Sequence, residues 1–336
     1  ACGGSTTVTW TYTSSCAPTT TTCSATFTVT ASPAVVFTCA VNKTEAACQT
    51  QAAIDASFAA WLLTTTASGG CNGLLTKSPT NPIAPNACGG STTVTWTYTS
   101  SCAPTTTTCS ATFTVTAAPT VVLTCATNKT EAACQTQAAI DASFAAWLLT
   151  TTATGGCNGL LTKSPTTPVA PDKCGGSTTV TWTYTSSCAP TTTTCSATFT
   201  VTASPAVVLT CATNKTEAAC QTQASINAKF NTWLATATII GGCNASISND
   251  NTGAPDACTG GTKTVTFTVS SSCQASVTCS ASFTVTAAPA IVFTCANNVT
   301  ESACQTQAQI DNKFNTWLAS GSLSGGCNAT ILNNNN

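Results

Sequence analysis

Cysteine is the residue type with reactive potential in this chain. Twenty-four Cys occur among 336 residues, His and Met are absent, and all nine basic residues are Lys. Thiolates that hold zinc come in C-x2–4-C pairs, usually with His, and dithiol redox sites use C-x-x-C. Neither spacing occurs; the short intervals are x5, from Cys273 to Cys279, x6, as from Cys16 to Cys23, and x8, as from Cys39 to Cys48. Structural disulfides remain, and on this scale they persist in oxidising places, at the cell surface or outside the cell. The acids are few. Glu45 and Asp55 lie ten residues apart, which on a helix sets them about 80° apart around the axis, a poor arrangement for a glycosidase pair. Calcium needs several acidic oxygens close together, more than this chain supplies. Without His or Arg there is no His-dependent triad, no imidazole ligand and no guanidinium clamp. No catalytic, cofactor-binding or metal-ligating set emerges, and the chain reads as a non-enzyme without cofactors. A formal net charge of −1, with 6% charged residues, argues against a nucleic-acid partner. No window approaches the ~20 continuous apolar residues of a membrane span, so no membrane insertion is expected.

The cysteines recur with the rest of the chain. The segment ACGGSTTVTWTYTSSCAPTTTTCSATFTVTA opens it, returns at Ala87, again at Lys173 as KCGGSTTVTW, and in diverged form at Ala257 as ACTGGTKTVTFTVSSSC. Cys2, Cys88, Cys174 and Cys258 lie about 86 and then 84 residues apart, and each copy carries six Cys. A period of this length suits one small domain per repeat, in tandem. The chain starts inside the pattern at Ala1-Cys2 with no initiator Met, which points to a mature, processed or excerpted chain.

Two textures must position the cysteines. In the first, Val94, Trp96 and Tyr98 alternate with Thr93, Thr95, Thr97 and Thr99. This is the period of a half-buried strand. Phe113 and Val115 continue the pattern, and the short loop between Cys102 and Cys109 makes the two runs a hairpin. A third strand-like run covers 34–39 after a Pro. The second texture is helical and spans 44–63, free of Gly and Pro. Ile54, Phe58, Trp61 and Leu62 fall on one face, Thr44 is the expected N-cap with Glu45 in the first turn, and Gly69-Gly70 supplies the stop. Trp61 reads as a core anchor. A Pro-rich extended connection is expected over 76–86. Asn42, Asn128, Asn214, Asn298, Asn244 and Asn328 match N-glycan acceptor triplets and read as polar residues, the first of them entering the helix.

The runs Pro33-Ala-Val-Val-Phe-Thr-Cys39, Cys88-Gly-Gly followed by Thr-Val-Thr-Trp-Thr, and Cys109-Ser-Ala-Thr-Phe-Thr-Val-Thr resemble the HYR family of immunoglobulin-like modules. The nearest variant is the four-cysteine HYR-like repeat of very large surface adhesins of gliding Bacteroidota. The segment CQTQAAIDASFAAWLL resembles the helical insertion of some of these arrays. The resemblance implies a mainly β chain of tandem immunoglobulin-like (HYR-like) β-sandwich domains, each with one inserted amphipathic helix and disulfide staples. In that frame, 1–32 is the C-terminal part of a repeat, 33–118, 119–204 and 205–288 are whole repeats, and 289–336 is the N-terminal part of another.

Six Cys allow 15 connectivities per repeat. Within the implied frame, strand parity points Cys39 and Cys109 at one core, so Cys39–Cys109, Cys125–Cys195 and Cys211–Cys279 are expected. Cys48 and Cys71 flank the helix within reach of each other, which predicts Cys48–Cys71, Cys134–Cys157, Cys220–Cys243 and Cys304–Cys327. The remainder would pair as Cys2–Cys16, Cys88–Cys102, Cys174–Cys188 and Cys258–Cys273, with a Cys102–Cys109 hairpin staple as the rival. Cys23 and Cys295 would have no partner inside the chain.

These features point to a structural and adhesive extracellular segment, and the resemblance implies that it belongs to a bacterial surface filament. Its expected partners are neighbouring repeats or subunits of the same filament, together with surface polysaccharide or solid surfaces. Two alternatives follow from the same residues. One is a carbohydrate-binding module that presents Trp61, Trp147, Trp233 and Trp317. The other is a self-assembling pilus or sheath subunit with strand exchange between neighbours.

Overall fold

The structure, a computed structural model, describes residues 2–17, 20–102 and 104–335. It begins with a hairpin of β1 (Gly4–Thr13) and β2 (Thr20–Val29). A complete repeat follows: β3 (Val36–Thr38), β4 (Lys43–Glu45), α1 (Gln51–Leu62), β5 (Thr66–Ser68), β6 (Leu74–Ser78), β7 (Gly90–Thr99) and β8 (Thr106–Val115). The same order returns as β9 (Val122–Thr124), β10 (Lys129–Glu131), α2 (Gln137–Leu148), β11 (Thr152–Thr154), β12 (Leu160–Ser164), β13 (Gly176–Thr185) and β14 (Thr192–Val201). It returns again as β15 (Val208–Thr210), β16 (Lys215–Glu217), α3 (Gln223–Leu234), β17 (Thr238–Ile240), β18 (Ser246–Asn249), β19 (Gly261–Ser270) and β20 (Val277–Val285). The last segment carries β21 (Val292–Thr294), α4 (Gln307–Leu318) and β22 (Ser322–Ser324). The chain is thus mainly β, a tandem in which each complete repeat combines a four-stranded sheet, a two-stranded sheet and a short helix, with many disulfides. It divides into two compact units, one holding 1–127, 146–168 and 179–198, the other 128–145, 169–178 and 199–336.

Within the first unit, the alternation of Thr with apolar residues forms β7 and β8, paired in register Val94↔Ala111 and Trp96↔Cys109. Val94, Trp96, Tyr98, Ala111, Phe113 and Val115 are buried. On the outer face, hydroxyls pair across the strands, Thr93 with Thr112 at 2.9 Å and Thr95 with Ser110 at 2.8 Å. Such cross-strand pairs let a neutral surface stay hydrated without charge. The sheet runs β4-β8-β7-β6, and a second small sheet joins β3 to β5. Helix α1 lays Ile54, Phe58 and Trp61 on the buried face of the hairpin. Phe113 meets Phe58 edge-on at 5.2 Å between centroids, and Trp61 meets Trp96 at 5.4 Å. The Trp61 indole N–H donates to the Val41 carbonyl at 2.8 Å, which satisfies the one polar atom the burial would otherwise strand. Gly69 has φ +83°, and a Cβ there would overlap the Ala34 carbonyl.

The helix starts later than its sequence pattern indicates. Thr50, not Thr44, is the N-cap, its hydroxyl accepting from Ala53 N at 3.2 Å. The residues Lys43 to Glu45 form a strand that pairs parallel with Phe113 to Val115. Two local features enforce this. Asn42 Oδ1 accepts from Thr112 N at 2.8 Å, which ties the segment to the sheet edge rather than to the helix. Cys48 has φ +67°, a left-handed turn that a helix cannot pass through. Likewise, the expected extended connection over 76–86 begins as strand β6, paired with β7 from Leu74↔Thr99 to Ser78↔Thr95.

The second unit repeats this construction. Ile226, Phe230, Trp233, Val265, Phe267 and Phe283 share a core. Thr222 caps α3 by accepting from Ser225 N at 3.2 Å, and Asn214 Oδ1 accepts from Ser282 N at 2.9 Å. The ends of the chain differ. The β1–β2 hairpin and α4 carry the same apolar pattern but leave it exposed.

Candidate functional site, the disulfide junctions

The cysteines fall into two structural classes. The first stays inside a repeat. Cys39 joins Cys109, Cys125 joins Cys195 and Cys211 joins Cys279. Cys109 lies opposite Trp96 on the sheet, so this bond ties the strand run after Pro33 to the hairpin that forms the other wall of the core.

The second class joins consecutive repeats, and here the structure corrects the expectation. Cys48 bonds Cys157 instead of Cys71, Cys134 bonds Cys243 instead of Cys157, and Cys220 bonds Cys327 instead of Cys243. Cys88 bonds Cys188 instead of Cys102, Cys174 bonds Cys273 instead of Cys188, and Cys2 bonds Cys102 instead of Cys16. The remaining expected pairs, Cys258–Cys273 and Cys304–Cys327, are also absent, because Cys273 and Cys327 are taken by Cys174 and Cys220. Neither does the rival staple form, since Cys102 bonds Cys2 and Cys109 bonds Cys39.

The reason is strand length. Cys88 and Cys102 flank the ten residues of β7, which span about 33 Å, whereas disulfide Cα atoms lie within about 7 Å. Cys48 and Cys71 are separated in the same way. Cys48 sits where β8 ends, since Ala47 N donates to Thr116 Oγ1 at 2.7 Å and Thr116 N to Glu45 O at 3.0 Å. Cys71 sits where β7 ends, its N donating to Ser100 Oγ at 3.0 Å. Enough chain lies between Cys48 and Cys71 to bridge them, but the sheet holds them at opposite ends.

The two ends are built differently. At the exit, Cys48 and Cys88 flank the strand that leaves the repeat; Ala118 N donates to Cys88 O at 2.9 Å. Cys48, Cys134, Cys220 and Cys304 all hold positive φ, between 61° and 69°, a conformation that costs a non-Gly residue about 1–2 kcal/mol and persists where the surroundings impose it. At the entry, one serine organises both receiving cysteines. Ser186 Oγ accepts from Cys157 N at 2.9 Å and from Cys188 N at 3.2 Å. Ser187 N and Oγ both donate to Cys157 O, at 2.9 and 2.8 Å. Cys157 and Cys188 are buried. Two disulfides and the peptide chain therefore cross each complete junction.

A charged cluster backs the exit end. Glu45 pairs with Lys43 at 3.1 Å, Ser57 Oγ donates to its Oε1, and Gln49 Nε2 donates to its Oε2 at 3.0 Å. The Ser57 hydroxyl, then the Gln49 amide and Lys43, pull the Glu45 pKa down to about 2. In the third repeat Lys229 replaces that serine and pairs with Glu217 at 2.7 Å. Glu45 belongs to strand β4 and not to the first turn of a helix.

Three of the four tryptophans expected as a ligand platform are core residues, and the fourth, Trp317, is half-buried. Trp61, Trp147 and Trp233 are 3–4% exposed, so no row of indoles is offered to solvent. Among the described residues no group of three metal-ligating side chains occurs, and no helix is long and apolar enough to cross a membrane.

No family model and no curated protein matches the chain. The chain is similar to several solved structures. A three-domain titin fragment, I67–I69, is 9% identical with a TM-score of 0.24, covering 76% of this chain and 99% of that one. The protocadherin GammaB4 extracellular domain is 10% identical with a TM-score of 0.30, covering 87% of this chain and 56% of that one. Mouse cadherin-23 EC22–24 is 8% identical with a TM-score of 0.30, covering 76% and 99%.

Proposed function

We propose that this chain is a load-bearing and adhesive segment of an extracellular bacterial surface filament, of the HYR-like kind found in adhesins of gliding Bacteroidota. The observation that carries the reading is the overlap of successive disulfide loops. Cys2–Cys102 and Cys88–Cys188 each span 100 residues, while the repeat period is about 86. Tension applied along the chain therefore passes from Cys2 to Cys102, back along the chain to Cys88, across to Cys188, back to Cys174 and across to Cys273. Only the short returns, such as 88–102, can be paid out. Unfolding one repeat releases little length, and one broken backbone bond inside a loop does not part the chain. Neutral Thr-rich faces keep the repeats hydrated, and repetition would multiply weak contacts to surface polysaccharide or solid surfaces through avidity.

Pulling a single chain between its ends in optical tweezers tests this. The oxidised chain is expected to extend several-fold less than the same chain in dithiothreitol. Equal extension in both would remove the load-bearing reading.

A further inference from the structure

Two successive complete repeats carry the same cavity. In the repeat that runs from β3 to β8 it measures about 540 Å³ and is lined chiefly by Leu62, Leu63, Thr65, Leu75, Lys77 and Trp96. The next repeat holds one of about 540 Å³ at the equivalent positions, where Thr151, Lys163 and Trp182 take the places of Thr65, Lys77 and Trp96. Strand register explains how a charge comes to stand there. Lys77 lies opposite Trp96 and Leu75 opposite Tyr98, and directly opposed residues share one face of the sheet. Trp96 and Tyr98 are buried, so Lys77 and Leu75 stand on the core side. Strand β6 is the edge of its sheet, where that side opens to solvent. Lys163 stands opposite Trp182 in the same way.

Two groups in each cavity have unused bonding capacity. Lys43, Lys129 and Lys215 each pair with a Glu at 3.1 Å, whereas the ammonium groups of Lys77 and Lys163 meet no acceptor among the described residues. Thr65 is 7% exposed, and its hydroxyl accepts from Ala40 N at 3.0 Å. The hydroxyl hydrogen has no acceptor among the described residues. Thr151 repeats this with Ala126 N at 3.0 Å.

An inward charge can also keep an edge strand from pairing with another chain. The third complete repeat speaks against that role here. Its β18 is an edge strand too, yet Asn249 stands where Lys77 does. Ala235, Ala237 and Phe267 stand where Leu63, Thr65 and Trp96 do. Ammonium, hydroxyl and apolar wall change together, as parts of one site would.

Resting on the adhesive reading, we propose that each of the two cavities binds an acidic sugar residue of a surface polysaccharide. Lys77 takes the carboxylate, Thr65 donates to a sugar hydroxyl, and Leu63 and Leu75 cover the C–H face of the ring. The cavity size suits a small ligand or one segment of a polymer. A net charge of −1 gives the chain no general attraction for a polyanion, so the affinity is local to these lysines. Recurrence on successive repeats lets one polymer make two contacts.

The test is calorimetric titration of the oxidised 336-residue chain with short alginate oligosaccharides, which are polyuronates, and with dextran oligosaccharides as a neutral probe. Expected are two sites per chain for alginate and none for dextran. Lys77→Gln is expected to leave one site, and Lys77→Gln with Lys163→Gln to weaken binding at least about tenfold. Lys173→Gln removes a charge outside both cavities and is expected to retain both sites. Lys77 and Lys163 are exposed, so their replacement leaves the fold intact, which an unchanged thermal transition checks. Equal binding of dextran and alginate, alginate binding unchanged in the double variant, or binding to phosphatidylglycerol vesicles in place of alginate would overturn the proposal. If no alginate binds, retention of the chain on silica or on immobilised dextran separates the two readings. Retention there overturns the inference and leaves the adhesive reading standing; retention on neither removes both.

Discussion

The repeat that runs from β3 to β8 and the two terminal segments are built from nearly the same residues, yet only the former has a core. GSTTVTWTYT is identical in β1 and β7. In β7 every second residue from Val94 to Tyr98 is buried, and in β1 none is. The difference is the presence of the preceding helix: α1 lies over β7 and β8, while among the described residues nothing buries β1 and β2. The hairpin forms from local pairing alone, since Thr7 and Thr26 hydroxyls meet at 2.8 Å just as Thr93 and Thr112 do. Strand pairing is thus a property of the segment, whereas burial is a property of the completed repeat.

The comparison can be broken most directly at its aromatic centre. Phe113→Ala is expected to cost the repeat about 3–5 kcal/mol, read as the shift of its thermal or denaturant transition. Phe27→Ala in a thiol-blocked single chain is expected to stay within about 0.5 kcal/mol, as for an exposed site. A large effect at Phe27 would mean that the hairpin is packed within its own chain.

The disulfides sharpen the same contrast. Replacing Cys39 and Cys109 together by Ser is expected to cost about 2–4 kcal/mol through the lost 70-residue loop. Replacing Cys23 and Cys295 together in the thiol-blocked chain is expected to change stability by no more than about 0.5 kcal/mol. Calorimetry of the two double variants, side by side, checks this.

The smallest effect lies in acid. Glu45 is held at about 2, against an ordinary 4.5, so its ionised form favours the folded state. That contribution is complete above about pH 4.5 and is lost as pH falls toward 2. The pair is half-buried and still reached by solvent, so screening keeps the effect modest. Glu45→Gln is expected to flatten the stability profile of the repeat between those pH values. Glu301 on the open segment is lowered as well, first by Lys313 and then by Gln305.

Much of the repeat is legible from side-chain alternation and spacing. Val94, Trp96 and Tyr98 announce the inner face of a strand, and Ile54, Phe58 and Trp61 announce the buried face of a helix, because burial imposes period on sequence. The helix boundary was less legible. Thr44 and Thr50 are both plausible caps, and the choice depends on Asn42 reaching Thr112, some 70 residues away. The disulfide partners were least legible. Counting residues between Cys48 and Cys71 measures chain length, but a bond depends on distance in space, and a ten-residue strand holds the two apart.

Composition and repetition were enough to establish that the cysteines are structural, that they recur in sixes, and that catalysis by His or Arg is impossible here, because these follow from which atoms the chain contains. Which cysteine meets which required the fold. The sheet sends Cys48 and Cys88 to one end of the repeat and Cys71 and Cys102 to the other, so the bonds they make leave the repeat and fasten it to its neighbour.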